Sequence, residues 1–518
     1  MLQHRFINSA RRHPDKLAFL DRTAKRQVPY GQALIAALIL ARRFRKSESG
    51  RIGIMLPTSS AGALAIIGAL MAGLTPVMIN YSTGPARNCR FAQQQCDFKT
   101  IVTARTVLEK TGCEKVPGMV FMEDIMGNLG NGEKLLAAIK SRLPLPLLKR
   151  LTGKYDLDRP AVILFTSGSE KEPKAVQLSQ RNILSNIDAF SDMMEIRSMD
   201  KMLAILPYFH VFGLTGNLWT PLCLGMTAIT YANPLDFKTI ASIIRDDEPE
   251  LVIGTPVFLE GYLRQSKPGD FASIKLAVSG ADKCPDSLRA KFLEKHALDI
   301  IEGYGTTETS PVISANPRHA NKPGSIGKPV PGVEVRIQSL DSSQDCNTGE
   351  TGRILVRGDN VMQGYLNEME ETHLRLKSGW YDTGDLGYLD ADGYLWHQGR
   401  LKRFVKIGGE MISLVAVEET MDAVTPPEVE CCAVELPDSR RGSRIIGVTS
   451  SDVDGQAVNR KLAEELPNLA LSKQYVTIAE FPRMGSGKTD FRSLTEQVRQ
   501  SQDSARPEKP LSEPKKSS

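Results

Sequence analysis

Six short runs set the architecture: KTIVTA (99–104), AVILFTS (161–167), MLAILP (202–207), TAITYA (227–232), LVIGTP (251–256) and IKLAVSG (274–280). Their apolar residues are consecutive rather than alternate. A strand solvated on one face alternates polar with apolar, so strands apolar on both faces have to be covered on both, which is the situation of a parallel sheet between helices. Helical patterning at 237–246 and 285–296 supplies crossovers of the right length. The stretch 52–86 carries no Lys, Arg, Asp or Glu, which is long enough to raise the question of a membrane span. Pro57, Thr58, Ser59, Ser60, Gly73, Pro76 and Asn80 break it up, and it reads instead as a strand (51–56), a small-residue helix (61–72) and a second strand (75–79) of the same layered fold.

Beyond residue 330 the texture changes to short alternating strands and glycine turns (GVEVRIQ, GRILVRG, GYLWHQGR), which predict a small β-rich subdomain. The expected fold is α/β: a large N-terminal domain over residues 1–400, a small mobile α+β domain over 401–500 and a disordered polar tail over 501–518. A net charge of +5 is too mild to indicate nucleic acid. The eight cysteines lack CxxC spacing, so neither a zinc site nor a disulfide framework is expected. With a polar N-terminus, MLQHRFINSARRHPDK, that lacks the apolar core of a secretory signal, this predicts a cytoplasmic protein with reduced thiols.

The strongest local feature is AVILFTSGSEKEPKAV at 161–176, an apolar strand entering a loop of hydroxyls, glycine and lysine, followed by a helical run opening at Ser179. Such a loop can aim backbone N–H groups, hydroxyls and an ammonium at a polyphosphate. An ordinary polar turn is the other reading of these residues alone, and the spacing lacks the GxxxxGK[ST] of P-loop NTPases.

Four further motifs follow in order: EGYGTTE (302–308), GWYDTGD (379–385), GRLKR (399–403) and GSGK (485–488). With the loop, this set resembles the adenylate-forming superfamily of acyl-CoA and acyl-carrier synthetases, adenylation domains and luciferases, over nearly the whole chain to about residue 497. That resemblance implies ATP and Mg²⁺ as cofactors and assigns roles by position. Thr166, Ser167, Gly168, Ser169 and Lys174 match the phosphate loop. Glu308, with Thr166, matches the Mg²⁺ site, where hard oxygen ligands are expected. Tyr304 matches the aromatic that stacks on adenine, Thr306 the hydroxyl at the α-phosphate, Asp385 the acceptor of the ribose hydroxyls and Arg400 a contact to ribose and phosphates. Lys488 matches the lysine that neutralises charge at the forming acyl-phosphate bond. Lys402 takes the hinge position, from which Gly408, Gly409 and Glu410 would come forward for thiol attack. His210, in LPYFHVFG, matches a position beside the substrate carboxylate; a satisfied buried histidine is the alternative.

The loop departs from the usual family pattern at Glu170, Lys171 and Ala175, the last two replacing glycine, which puts ATP affinity in question wherever positive φ is needed. The stretches 399–414, 482–491 and EGYG look most like bacterial acyl-acyl carrier protein synthetases in free-standing form. The implied reaction is activation of a fatty acid as acyl-adenylate and transfer to the thiol of acyl carrier protein. A fatty acyl-CoA ligase is the alternative, and a catalytically silent acyl-adenylate binder a weaker one. Between Glu133 and Asp156 lie Lys134, Lys140, Arg142, Lys149, Arg150 and Lys154 with no acid, interleaved with leucines. This segment suits an acidic carrier, a peripheral contact at the inner face of the membrane, or simple solvation, and Pro144 and Pro146 oppose one continuous helix. Chain-length preference and oligomeric state are not encoded in any local pattern.

Overall fold

The computed structural model describes residues 1–45, 49–153, 155–166, 173–407, 410–426, 428–438, 442–472, 474–483 and 489–504, and the side chains of residues 402, 406, 410, 411, 465, 503 and 504 are not described. The chain forms two compact units, the first running to His397 and the second beginning at Gln398.

Among the described residues of the first unit, two large sheets carry the continuously apolar runs. The nine-stranded sheet has the spatial order Lys328–Pro329, Val312–Ala315, Ile300–Gly305, Leu276–Gly280, Leu251–Gly254, Lys201–Ala204, Thr227–Thr230, Leu17–Asp21 and Arg26–Pro29. It is parallel from Ile300–Gly305 through to Leu17–Asp21 and antiparallel only at its edges. The seven-stranded sheet runs Gly364–Tyr365, Ala175–Ser179, Pro160–Phe165, Thr75–Met78, Arg51–Ile54, Ile101–Thr103 and Met119–Phe121, parallel over its last five. The uncharged stretch becomes strand Arg51–Ile54, helix Ser60–Ala72 and strand Thr75–Met78, as its breakers predict. That helix starts on the Ser59 hydroxyl, which accepts the Gly62 N–H at 3.1 Å, and stops at Gly73 with φ +86°. Among the described residues no helix is long and apolar enough to cross a membrane.

The alternating segments past 330 pair as an antiparallel sheet of Val333–Gln338, Gly352–Gly358, Trp380–Leu389, Leu376–Lys377 and Leu395–Arg400, closed over a small core of Ile337, Ile354, Val356 and Leu395. The second unit is α+β. A hairpin (Phe404–Ile407 with Glu410–Ser413) and a three-stranded sheet (Cys431–Asp438, Gly442–Thr449, Tyr475–Thr477) pack with helices Leu414–Val424, Gly455–Glu465 and Phe491–Ser504 around buried Val405, Val417, Leu462, Val434 and Leu494. Helix Phe491–Ser504 runs across residue 501, where the polar tail was expected to start, and residues 505–518 lie outside the described part. All eight cysteines are free.

Candidate active site

The loop at 167–172, with Ser167, Gly168, Ser169, Glu170 and Lys171, lies outside the described residues, but both of its anchors are defined. Strands Pro160–Phe165 and Ala175–Ser179 pair antiparallel with Phe165 opposite Ala175. The Thr166 N–H donates to the Lys174 carbonyl at 3.0 Å, and the Lys174 N–H donates to Thr166 Oγ1 at 3.1 Å. The hairpin register therefore places Thr166 and Lys174 face to face at the mouth of the loop. Ala175 is fully buried strand backbone with negative φ, so a glycine is not conformationally required there.

From Lys174 a chain of contacts leads to Glu308. The Lys174 ammonium pairs with the Glu371 carboxylate and lies 4.9 Å over the Tyr365 ring. The Tyr365 hydroxyl donates to Glu308 Oε1 at 2.8 Å. Glu308, on the turn Thr307–Thr309, is 9 % exposed, which is unlike a solvated cap. Its own carbonyl accepts the Met362 N–H at 2.7 Å. The hydrogen bond from Lys174 holds Glu371 below the usual carboxylate range. Burial, then the adjacent Glu308 carboxylate, push the Tyr365 phenol far up, so it remains a proton donor to that carboxylate.

A second group lies on the Ile300–Gly305 and Trp380–Leu389 strands. Tyr304 donates its hydroxyl to Asp385 Oδ2 at 2.5 Å, its ring lies 5.6 Å from that of His397 at 40°, and His397 Nε2 is 3.9 Å from Asp385 Oδ1. Asp385 is almost completely buried, and its N–H donates to Thr383 Oγ1 at 3.0 Å, one residue past Gly384 at φ +75°. Glu302, the first residue of the EGYG motif, is structural: it pairs with the buried Arg289 and accepts the Cys284 N–H at 3.0 Å, fixing the strand that carries Tyr304. Gly305 is required where it stands, because a Cβ there would meet the Pro311 carbonyl oxygen at 1.9 Å. The Thr306 hydroxyl takes part in a capping box with Thr309, so it helps shape the turn that carries Glu308.

His210 sits among aromatics. Its ring is 4.6 Å from that of Phe209, which meets Tyr81 edge-on at 4.9 Å. The π-helix Phe212–Trp219 begins directly behind it, with the Leu214 N–H donating to the His210 carbonyl at 2.8 Å. Wide π turns of this kind concentrate at functional sites.

In the second unit, Arg400 ends a strand and is exposed, and Lys402 lies in the turn Leu401–Arg403. Glu410 opens the strand Glu410–Ser413, while Gly408, Gly409 and Lys488 lie outside the described residues. Next to the expected hinge, Arg403 pairs with Glu418, donates to the Ala433 carbonyl at 3.1 Å and lies 4.0 Å over Phe491.

The sequence motifs did not single out Tyr365, Glu371 or His397, and gave no role to Arg403 at the end of GRLKR. Tyr365 lies in NVMQGYLN, just before the acidic segment EMEE, and that proximity was the one available signal for it and for Glu371. Among the described residues no group of three or more His, Cys, Asp or Glu could hold a metal by itself. Mg²⁺ typically takes one or two carboxylates and completes its shell with water and phosphate oxygens, so a single buried carboxylate with a loop hydroxyl fits it.

Parallel layered sheets, a hydroxyl-and-lysine loop mouth and buried carboxylates on the two following motifs define an adenylate-forming enzyme. The chain belongs to the AMP-binding enzyme family, which matches residues 6–366. A long-chain-fatty-acid–CoA ligase of Bacillus subtilis is 28% identical over 546 residues, covering 96% of this chain and 94% of its own. One of Haemophilus influenzae is 27% identical, covering 95% and 94%. An indoleacetate–CoA ligase of Aromatoleum aromaticum is 31% identical over 346 residues, covering 65% and 67%. Among solved structures, ATP-bound MatB from Rhodopseudomonas palustris has the same fold, with a TM-score of 0.83, 22% identity and coverage of 96% and 99%. So has the o-succinylbenzoate–CoA synthetase of Bacillus subtilis with its acyl-adenylate, at 0.81, 22%, 95% and 98%.

Proposed function

We propose that this chain is an ATP-dependent ligase that activates a fatty acid as its acyl-adenylate, releasing pyrophosphate, and transfers the acyl group to a phosphopantetheine thiol. The observation that carries this reading is the linked set Thr166, Lys174, Tyr365 and Glu308 at the mouth of the loop, a cation and a buried carboxylate in one network. In this reading Lys174 binds the outer phosphates, Glu308 with Thr166 holds Mg²⁺, and the ion offsets phosphate charge. Asp385 accepts from the ribose, Tyr304 packs on the base, Thr306 contacts the α-phosphate and His210 orients the substrate carboxylate. Arg400 contacts ribose and phosphates, and Lys402, the loop of Gly408, Gly409 and Glu410, and Lys488 belong to a mobile domain over 401–500 that serves adenylation and thiol transfer in turn.

Fatty acid as substrate and coenzyme A as acceptor are supported by the near full-length similarity to two bacterial long-chain-fatty-acid–CoA ligases. Acyl carrier protein as acceptor is supported by the stretches 399–414 and 482–491. The two carry the same thiol arm, so the test is acceptor-dependent turnover. AMP formation with ATP, Mg²⁺ and a long-chain fatty acid is measured with coenzyme A and with holo acyl carrier protein. Turnover with either supports a fatty acid–thiol ligase and assigns the acceptor, and turnover with neither contradicts it.

A further inference from the structure

The exposed apolar side chains of this chain are unevenly distributed. Leu135 (63% exposed), Ile139 (56%), Leu147, Leu151 and Tyr155 (71%) crowd into one segment of the first unit. The segment is two helices, Asn131–Ser141 and Leu145–Leu151, broken at Pro144 as the prolines predict. Each helix has an inner side fixed to the body of the unit. In the first, Ala137 and Ser141 are buried one turn apart, and in the second Leu148 is buried with Thr152 one turn on. Helix Leu2–Arg12 holds both from beneath. Arg11 donates to the Ser141 carbonyl at 2.7 Å and the Leu143 carbonyl at 3.1 Å, and the His4 ring lies 3.1 Å from the Lys149 carbonyl. With the inner sides fixed, the pairs Leu135/Ile139 and Leu147/Leu151, each spaced i,i+4, are left facing outward.

Apart from Glu133, the charged side chains on these two helices are all basic, and the exposed Asp156 follows Tyr155 in the chain. Lys134, Lys140, Arg142, Lys149 and Arg150 interleave with the exposed apolar residues, and among the described residues none forms an ion pair. The acids at the near edge are already neutralised: Glu133 by Arg43, and Asp124 by Arg105 at 2.7 Å, whose N–H also donates to Glu123 at 2.9 Å. Interfaces with other proteins are depleted in lysine and enriched in aromatics and methionine. Here lysine and aliphatic residues dominate. That is the composition of a segment lying in a lipid interface, where leucine and isoleucine enter the acyl boundary while lysine and arginine stems extend to anionic headgroups.

We infer that the outward face of helices Asn131–Ser141 and Leu145–Leu151 docks on an anionic lipid surface. The inference stands apart from the reaction assigned above and is tested without it. The full chain is floated with vesicles of phosphatidylcholine alone and of an equal mixture with phosphatidylglycerol, at low and high salt. Binding to the anionic vesicles, weakened by salt, is expected, with little to the neutral ones. Lys134→Glu with Lys140→Glu lowers the partition coefficient by more than about tenfold, since each cation near an anionic surface contributes about fivefold. Leu135→Gln with Ile139→Gln removes the binding that persists in high salt, and an unchanged thermal midpoint shows that both variants are folded. The inference is overturned by wild-type protein that does not float with anionic vesicles, or by folded variants that float as wild type does. It is equally overturned if the face instead mediates a concentration-dependent dimer, or salt-sensitive capture of an acidic carrier protein, without lipid binding.

Discussion

The ammonium of Lys174 is held by the carboxylate of Glu371, a residue on the short helix Met369–Arg375 far along the chain from the phosphate loop. In the proposed reaction, phosphate oxygens reaching Lys174 would take the place of that carboxylate. Replacing Glu371 with Gln removes the competing charge and is expected to lower the KM for ATP about fivefold, the scale of one partly exposed ion pair. Lys174→Ala raises the KM for ATP more than about tenfold, because a charge-assisted contact to phosphate is lost. Initial rates against ATP concentration check both. A raised KM in Glu371→Gln would mean that Glu371 positions Lys174 rather than competing for it.

Glu308 and Tyr365 separate a charge effect from a hydrogen-bond effect. Glu308→Gln still accepts from the Tyr365 hydroxyl, so the thermal midpoint should move little, while the Mg²⁺ concentration at half-maximal rate rises about tenfold or more. Tyr365→Phe keeps the carboxylate but removes its donor, which costs about 1–3 kcal/mol in stability. A Mg²⁺ titration and a melting curve on each variant distinguish the two.

At the second group, Asp385→Asn keeps the shape and loses the charge of the nearly buried acceptor, and about a tenfold rise in KM for ATP is expected, the scale of one charge-assisted bond. Tyr304→Phe keeps the ring and loses the hydroxyl that donates to the Asp385 carboxylate, so it should lose less than Tyr304→Ala, which removes both ring and hydroxyl. Equal losses in Tyr304→Phe and Tyr304→Ala would assign the function to the hydroxyl instead of the ring.

His4 gives the protein an acid-sensitive anchor. Burial pushes its imidazole down to about 4. The unfolded chain therefore takes up a proton at a higher pH than the folded one does. The stabilising contribution is complete above the ordinary histidine value and is lost as pH falls through it toward 4. Loss of about 1–3 kcal/mol is expected across that window, absent in His4→Gln, as read from urea unfolding at neutral pH and at pH about 5.

The layered fold was legible because its strands lie in continuously apolar runs and its helices between them, down to Ser60–Ala72 inside the uncharged stretch. The backbone setting of motif residues such as Tyr304, Glu308 and Asp385 was legible for the same reason: each sits at a fixed offset from a strand or tight turn. Glu371 and Tyr365 were not, since their importance arises from where a helix and a two-residue strand bring them, and local pattern does not encode a partner roughly two hundred residues away. The π-helix behind His210 was equally hidden, because FGLTGNLW mixes apolar residues with glycines, Thr215 and Asn217 and carries no periodic stripe. The doubt raised over Ala175 was resolved by strand pairing, which sequence composition does not reveal.

Trapping the activated acid tests the account most directly. With ATP, Mg²⁺, a long-chain fatty acid and hydroxylamine but no thiol acceptor, the chain is expected to form the fatty acyl hydroxamate with one pyrophosphate per acid, and Glu308→Gln to form it far more slowly at the same Mg²⁺ concentration. Hydroxamate formation that requires the thiol, or pyrophosphate release without hydroxamate, would contradict an acyl-adenylate made at this site.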